Sequence, residues 1–360
     1  MRIVLFGNAS AKNAGIRFRL LAWAARLEAE GHDCRICLLS SVADQERHYD
    51  GRGRAGKLVY LLRAWLRRWG QLRQVPGADV VFFRGPAFPY GPPIFERIAR
   101  LLNPRIVFDI DDAIWEPPAH VDSPFVRFMD RGWVRTMCRL SRHAVVGNAH
   151  LAGYVRPMLP AITIVPTCVD LAAYTEKPVA DAVADRPVVL GWTGLADNLG
   201  YLAAIAPALQ AISHKHRIEL FIATTRDYEL EGVPVRNERW QMARQYDYFH
   251  EADIGLMPLH DSPRARGKCA FKALQYMASG VPVVVSPVGM NATVVQDGEN
   301  GFLADTPAAW EAALERLIED AALRQRLGRA ARETVRQRYT FDVNYDAFKA
   351  ALEAAAGGPA

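Results

Sequence analysis

The chain has 360 residues, of which 50% are hydrophobic and 23% charged, and its formal net charge is +5. This composition excludes disordered, collagen-like and coiled-coil proteins, and the length suits two domains better than one. No apolar run approaches the length of a membrane-spanning helix, so the sequence predicts none. Met1 leads directly into an apolar strand and the cysteines are scattered and odd in number, so we expect no signal peptide and a cytoplasmic location.

Short β-rich runs alternate with amphipathic stretches along the first half of the chain. Strands separated by helices are typical of a parallel sheet with helices on both faces. The predicted helices lie around 15–30, 57–73, 92–103 and 125–141. The predicted strands are Arg2–Phe6, Asp33–Leu39, Asp79–Phe83, Arg105–Ile110, His143–Val146 and Thr163–Val165.

The same alternation restarts after a break at residues 179–187, which are small, polar and without period and therefore predict a linker. The fold class predicted is α/β, with two doubly wound Rossmann-like domains in series that face a ligand-binding cleft. The strands predicted for the second domain are Val188–Trp192, Ile218–Ala223, Asp253–Met257 and Val283–Ser286, and its helices lie near 199–213, 268–279 and 307–336.

The positive charge is concentrated in the first half of the chain. Residues 1–180 hold 25 Lys and Arg against 16 Asp and Glu, whereas residues 181–360 hold 19 against 23. Residues 52–73 contain seven basic residues and no acid, with leucines and tryptophans at helical spacing. Such a helix either lies on an anionic membrane surface or packs into the core with a basic outer face. No nucleic-acid-binding motif is present, so we expect no nucleic-acid partner.

The loop Gly7–Gly15 joins the first strand to a helix, and Arg17 and Arg19 follow it. Free N–H groups at a helix N-terminus suit an anion or a polar substrate. The loop lacks the Gly-x-Gly-x-x-Gly pattern, so a nicotinamide cofactor is not supported. The alternative is a plain connection with surface arginines.

Three carboxylates crowd the end of the strand at 105–110, in the run Asp109-Ile-Asp-Asp112. They are interpreted as a divalent-metal site, as a carboxylate that orients an acceptor hydroxyl, or as a loop that caps the next helix. Side-chain alternation places Asp109 and Asp111 on one face and Asp112 on the other. We favour Asp111 or Asp112 as a functional carboxylate.

A loop, a helix, a glycine stop and a buried strand follow one another from Arg264 to Val285. Lysine is rare in this chain, with seven residues against 37 arginines, yet Lys268 and Lys272 lie one helical turn apart here. A cation in the first turn of a helix is disfavoured by the helix dipole unless an anion binds there too. A nucleotide diphosphate would fit, and a solvated pair on an exposed face is the alternative.

Several segments match the motifs of one known family in order and spacing. They are Gly15 with the helix end Leu27–Asp33, Val165–Asp170, Ala252–Pro258, Leu274–Val284 and Asp297–Leu303. Together they resemble glycosyltransferase family 4, which has the GT-B fold, and the likeness covers nearly the whole chain. The stretch Trp310–Tyr345 is similar to the closing helices of that family, the last of which crosses back onto the N-terminal domain.

The resemblance implies three parts: an acceptor-binding domain at 1–170, a nucleotide-sugar-binding domain at 186–338, and a C-terminal helix at 339–360 that returns to the first domain. It also implies retaining transfer of a sugar from a nucleotide donor, without a metal or another cofactor. We therefore expect a UDP- or GDP-linked sugar as donor and a glycan or a lipid-linked acceptor.

The chain departs from the family pattern at the catalytic glutamates. The paired glutamates of the family, spaced Glu-x7-Glu, fall on Gly267 and Gln275, its histidine falls on Asp111, and a later glutamate is replaced near Thr293. The turn at 191–198 also lacks the arginine and lysine that normally meet the pyrophosphate, and Lys268 and Lys272 would replace that charge. The combination resembles a recurring bacterial branch of the family.

We therefore predict a glycosyltransferase in cell-surface polysaccharide synthesis, cytoplasmic and peripheral on the inner face of the membrane. A catalytically weak GT-B subunit and a GT-B sugar-nucleotide epimerase remain the alternatives. The predicted catalytic residues are Asp111, Asp112 and Lys268, the donor-binding residues are Gly15, Gly194, Asn198, Lys268, Phe271, Lys272 and Gln275, and the acceptor-binding residues are Arg17 and Arg19.

Overall fold

The computed structural model describes residues 1–50, 53–117, 128–177 and 186–357. Most of the linker predicted at 179–187 lies outside these ranges. The described chain divides into two compact units, one made of residues 1–117, 128–168 and 344–357, the other of residues 169–177 and 186–343. Within the described ranges, no helix combines the length and apolarity needed to cross a bilayer.

The first unit is built on a six-stranded sheet in the order β2-β1-β3-β4-β5-β6, with every pairing parallel. Strand order reverses between β1 and β3, which is the point where doubly wound sheets bind ligands. Its strands are β1 (Arg2–Gly7), β2 (Asp33–Leu38), β3 (Val80–Arg84), β4 (Ile106–Ile110), β5 (His143–Val146) and β6 (Ile162–Ile164).

Helices connect these strands. The first helix, α1, is continuous through Ala14–Ile16, a π-helical stretch at Arg17–Leu21, and Ala22–Ala29. The others in the first half of the chain are α2 (Val42–His48), α3 (Arg54–Gln71), α4 (Ile94–Leu102), α5 (Trp133–Leu140) and α6 (Ala149–Val155).

The central strands are buried on both faces, which explains their unbroken apolar sequences. All residues of β3 and β4 are buried, because helices cover both sides of a parallel sheet. The C-terminal helix, α13 (Phe341–Gly357), contributes to the same core. The rings of Phe348 and Trp23 stack with their centroids 4.5 Å apart, so the predicted return of this helix to the N-terminal domain is confirmed.

The second unit repeats the architecture, with a parallel sheet in the order β12-β11-β10-β7-β8-β9. Strand order here reverses between β7 and β10. The strands are β7 (Val188–Thr193), β8 (Ile218–Thr224), β9 (Val235–Arg239), β10 (Ile254–Met257), β11 (Val283–Val285) and β12 (Gly301–Leu303). The helices are α7 (Ala206–Lys215), α8 (Pro263–Arg266), α9 (Phe271–Ala278), α10 (Asn291–Val294), α11 (Pro307–Glu319) and α12 (Ala321–Arg338).

The predicted fold class is therefore confirmed, and the differences lie in single elements. The helix predicted at 307–336 is two helices, because Asp320 leaves the helical conformation and caps α12 by accepting a hydrogen bond from the backbone N–H of Leu323. The segment 199–213 begins as a 3₁₀ helix at Ala196–Ile205 before α7. Strands β9 and β12 are additions to the predicted set.

A buried carboxylate fixes the first strand of the second unit to its neighbour. Asp253 accepts hydrogen bonds from Lys177 Nζ at 2.8 Å and Arg186 Nη1 at 2.6 Å. It also accepts one from the backbone N–H of Val189 at 2.9 Å. Burial alone would raise the pKa of Asp253, but Arg186 and Lys177 outweigh it, so this pKa lies far below its usual value.

We expect Asp253→Asn to lower the free energy of unfolding by about 2 kcal/mol at pH 7. This loss is smaller than that for a fully buried ion pair, because Lys177 and Arg186 are both partly exposed to solvent. The stabilisation depends on the ionised carboxylate. The difference between wild type and variant therefore shrinks as the pH falls below about 4. Urea unfolding at several pH values measures it. Lys215→Met, at an exposed ion pair with Glu311, is the matched control and should change little.

Candidate functional site

Arg84 stands at the carboxyl end of β3, where the strand order of the first sheet reverses. Its guanidinium holds two of the three crowded carboxylates. Arg84 Nη2 lies 2.5 Å from Asp111 Oδ1, and Arg84 Nε lies 3.1 Å from Asp109 Oδ2. Asp109 and Asp111 therefore share one face of the strand end, as side-chain alternation predicts.

Gly15 lies directly against this guanidinium. A Cβ atom at position 15 would be 2.5 Å from Arg84 Nη2, closer than a real Cβ contact allows. The glycine at the start of α1 is thus required by the approach of Arg84. The structure brings Gly15, Arg84 and Asp111 together at the carboxyl edge of the first sheet.

Asp111 is a half-buried carboxylate held in its charged form. Burial works to raise its pKa, but the positive charges of Arg84 and Arg19 outweigh burial and hold the pKa of Asp111 below its usual value. At neutral pH this carboxylate accepts hydrogen bonds and does not donate them. Asp112 is also half-buried, and its Oδ1 accepts a hydrogen bond from the N–H of Ala113 at 3.0 Å.

The expected role of Arg19 in acceptor binding is corrected by its position. Its side chain is 1% exposed. Nε donates to Asp109 Oδ2 at 2.9 Å, and Nη1 donates to the carbonyl oxygen of Val165 at 3.0 Å. A buried charge needs such a partner. Arg19 therefore joins α1 to the end of β4 and does not face a ligand.

Arg17 is half-buried, and its Nη1 donates to the carbonyl oxygens of Ala11 at 3.0 Å and Lys12 at 2.5 Å. These bonds hold the loop between β1 and α1. Arg17 thus stabilises the loop at which the sequence predicted binding of an anion. Its expected role in binding the acceptor stays a prediction.

Arg84 is the functional candidate that the sequence analysis did not select. The sequence could have indicated Arg84, because this charged residue ends the apolar run Val80-Val-Phe-Phe-Arg84. The carboxyl ends of the strands in a parallel sheet lie at the edge where ligands bind. A cation at the end of β3 is therefore as good a candidate for a functional residue as the carboxylates at the end of β4.

In the second unit, Lys272 lies at the corresponding reversal of strand order, between β7 and β10. A Cβ atom at Gly194, immediately after β7, would be 2.5 Å from Lys272 Nζ. The same Nζ lies 4.6 Å from the centroid of the Trp192 ring. The amine of α9 therefore reaches the turn at 191–198, which itself lacks a cation.

Burial and, to a smaller extent, the neighbouring positive charge of Lys268 together lower the pKa of Lys272 to about 7. A buried amine without a carboxylate partner is unfavourable in its charged form. An anion bound at this amine would reverse both effects. Lys268 therefore lies close enough to interact with Lys272, but it precedes α9, so its predicted place in the first turn of that helix is wrong.

Helix α9 begins at a strained residue. Ala270, the residue before Phe271, has φ 52°, the left-handed conformation that disfavours side chains larger than glycine. Such strain is found at functional sites, where surrounding structure holds it. Phe271 and Lys268 are half-buried on either side of this residue.

Gln275 is buried on the next turn of α9, and its amide nitrogen donates to Tyr174 Oη at 2.8 Å. This bond fixes the orientation of the side-chain amide. Asn198 is half-buried in the 3₁₀ helix after β7, and its backbone N–H donates to the carbonyl oxygen of Leu195 at 2.9 Å. Both residues belong to the unit that holds Lys272.

Comparison with known proteins connects this second unit to a family. Residues 187–320 match the family model described as Glycosyl transferases group 1. The matched segment contains Gly194, Lys268, Lys272 and Gln275.

Solved structures resemble the chain over nearly its full length. Sucrose-phosphate synthase from Thermosynechococcus elongatus has a TM-score of 0.70 at 15% identity, covering 97% of this chain and 98% of that one. HepE of Anabaena in complex with UDP has a TM-score of 0.66 at 15% identity, covering 98% and 100%. The chain has the GT-B fold. At these identities the likeness shows the fold alone.

The curated relatives are named D-inositol 3-phosphate glycosyltransferase. The protein of Xylanimonas cellulosilytica is 28% identical over 50% of this chain and 48% of its own length. That of Corynebacterium diphtheriae is 46% identical over 24% of this chain and 19% of its own length. The chain thus spans about half the length, or less, of these relatives.

Proposed function

We propose that this GT-B protein is a glycosyltransferase that moves a sugar from a nucleotide-sugar donor to a glycan or a lipid-linked acceptor. The observation that carries the proposal is the amine of the half-buried Lys272, which lies against Gly194 at the strand reversal of the second unit. An anionic ligand would stabilise the charged form of this amine, and a nucleotide diphosphate supplies one. HepE of Anabaena is described in complexes with UDP and with UDP-glucose, so a UDP-linked sugar is the first donor to test.

Lys272 and Lys268 would hold the diphosphate and stabilise its growing negative charge as the sugar leaves. Gln275 would meet the ribose through its carbonyl oxygen, since its amide nitrogen is bonded to Tyr174. The absence of a side chain at Gly194 makes room for the Lys272 amine beside the backbone of this turn. Asn198 and Phe271 would complete the donor site beside the phosphates and the sugar.

In the first unit, Asp111 would accept a hydrogen bond from the acceptor hydroxyl and orient it for attack. The charge of Arg84 keeps this carboxylate ionised and fixes its position. We further propose that the transfer retains the configuration of the sugar, requires no metal or other cofactor, and serves bacterial cell-surface polysaccharide synthesis. Release of UDP from UDP-glucose, dependent on added lipid-linked or glycan acceptor, tests the proposal. Binding without turnover across such acceptors would contradict it.

The pKa of Lys272 gives a prediction for donor binding. At pH 8 most free protein would carry a neutral Lys272, so binding of UDP should take up about 0.9 proton. Affinity should then fall as the pH rises above about 7, by up to about tenfold per unit. Calorimetry in buffers of different ionisation enthalpy measures the uptake. Lys272→Met, the control, should show none, and a wild type without uptake would contradict the prediction.

Helix α3 supports a peripheral membrane location, because its apolar residues face outward. Its buried side carries Tyr60, Ala64 and Arg68. Arg68 is fully buried and donates to the carbonyl oxygens of Ala87 and Cys37, so it is corrected from a surface cation to a core residue. The large apolar residues on the exposed side are Leu58, Val59, Leu62, Trp65, Leu66 and Trp69, which are 39% to 69% exposed.

We propose that this exposed side of α3 rests on an anionic lipid surface. Tryptophan and leucine would enter the headgroup region, and Arg54, Lys57 and Arg63 would meet the lipid phosphates. The combination of exposed apolar and basic residues on one helix favours a lipid surface over a purely apolar partner. The location on the inner face of the cell membrane remains part of this proposal.

We expect the protein to co-sediment with vesicles of phosphatidylcholine and phosphatidylglycerol, and to do so much less with phosphatidylcholine alone. The double variant Leu62→Ser with Leu66→Ser should bind these vesicles more weakly by about tenfold or more. Burial of each leucine side chain contributes about 1.5–3 kcal/mol to the binding free energy. Val343→Ser, at another exposed apolar residue, is the control. Binding that is unchanged in the double variant would contradict a membrane role for α3.

A further inference from the structure

A cavity of about 410 Å³ lies in the first unit, apart from the residues assigned above. Its position is at the carboxyl edge of the first sheet. Trp115 stands in the loop after β4, four residues beyond Asp111, and Gly132 immediately precedes α5. The lining residues are Trp115, Glu116, Arg131, Gly132, Arg135 and Tyr154.

Two aromatic rings form one side of this cavity. The rings of Trp115 and Tyr154 stack with their centroids 3.8 Å apart and their planes 7° from parallel. Each ring holds the other in place, and both remain partly exposed in a cavity that no described side chain fills. A rigid apolar surface of this kind suits the C–H face of a pyranose ring, which packs flat on aromatic rings and excludes water.

Two arginines stand beside the aromatic rings. Arg135 Nε donates to Tyr154 Oη at 3.3 Å. Within the part of the chain that the structure describes, neither Arg131 nor Arg135 forms an ion pair with a carboxylate. A guanidinium presents paired donors that match a carboxylate or a phosphate. The cavity is therefore suited to an anionic group next to an apolar ring.

We propose that this cavity is a subsite for a pyranose residue that carries a carboxylate or a phosphate. The proposal rests on the glycosyltransferase function and assigns the bound residue to the acceptor, because the cavity shares the sheet edge with Asp111. The outer face of one of the two stacked rings would bind the sugar ring, and Arg131 and Arg135 would select for the anion. Aromatic rings, guanidinium groups and a carboxylate in one cavity form the mixed lining expected of a sugar site.

The test uses full-length protein labelled with 5-fluorotryptophan, in which Trp115→Phe identifies one of eight fluorine resonances. Glucuronic acid, glucose 6-phosphate, glucose and inorganic phosphate are titrated separately. We expect the Trp115 resonance to shift with one or both anionic sugars, with at least tenfold weaker effects of glucose and of phosphate. Which of the two sugars binds more tightly distinguishes a carboxylate from a phosphate.

Arg135→Met should weaken binding of the anionic sugar by at least tenfold, whereas Arg139→Met, one turn further along α5, should leave it unchanged. UDP titrations of the same variants give an independent measure of the donor site and should match wild type. A Trp115 resonance that responds to neither anionic sugar would overturn the subsite, even where UDP binds normally. Equal binding of glucose and glucuronic acid, or an Arg135→Met variant that binds like wild type, would overturn the role of the arginines.

Discussion

Lys272→Ala is expected to lower kcat/KM for the nucleotide-sugar by roughly 10²- to 10³-fold, the usual effect of removing one group that stabilises transition-state charge. The amine lies at the strand reversal of the second unit, against Gly194 and over the Trp192 ring. Its charge would be needed most as the diphosphate leaves. The fall should therefore appear in kcat as well as in nucleotide affinity.

Two comparisons make this prediction specific. Lys215→Ala removes an exposed lysine from the same unit and should leave both constants unchanged. Gly194→Ala should act like a weaker form of the Lys272 variant, because a Cβ there must displace the amine. A folded Lys272→Ala variant that turns over like wild type would remove Lys272 from the donor site.

Asp111→Asn is expected to lower kcat by roughly 10²- to 10⁴-fold, within the range for a group that orients or accepts a proton from the attacking hydroxyl. Asparagine keeps the size of the side chain but loses the charge that Arg84 holds in place. UDP affinity should remain that of wild type, since Asp111 is assigned to the acceptor. The measurement is single-turnover kinetics at saturating donor.

Asp112→Asn is the matched control for this carboxylate. The side chain of Asp112 accepts a hydrogen bond from the N–H of Ala113, and the amide oxygen of asparagine can accept the same bond. We therefore expect a much smaller loss of activity than for Asp111→Asn. If Asp112→Asn lowers kcat as strongly as Asp111→Asn, or Asp111→Asn has no effect, the assignment of the acceptor carboxylate is wrong.

The alternation of apolar strands with amphipathic helices was sufficient to predict two parallel sheets. Strands β3, β4 and β10 are uniformly buried, so their sequences are continuous apolar runs. Strand β9 has the polar sequence Val-Arg-Asn-Glu-Arg, and β12 is only three residues long. Both are edge strands, whose partial exposure and short length leave no such run in the sequence.

The site could be predicted only where function follows from local spacing. The shared face of Asp109 and Asp111 follows from strand alternation. The helical spacing of Lys268 and Lys272 was wrong, because the helix begins only at Phe271, after the left-handed Ala270. Arg19 could not be assigned in this way, because its partner Asp109 is 90 residues away.

Helix α3 also shows that a sequence pattern cannot predict every side chain's environment, even within one segment. Helical spacing identifies its apolar and basic sides, but not which of them faces the core. The structure buries Arg68 and exposes Leu62 and Leu66, because the carbonyl oxygens of neighbouring strands and loops supply the partners that a buried guanidinium needs.

The central claim is that the second unit binds a nucleoside diphosphate through Lys268 and Lys272. Calorimetric titration of UDP, GDP and ADP into wild type, Lys268→Ala and Lys272→Ala tests it most directly. We predict that one nucleotide binds with micromolar affinity and that either substitution weakens it by about tenfold or more, about 1.4 kcal/mol. Absence of binding by all three nucleotides, or equal affinity in wild type and both variants, would contradict the account.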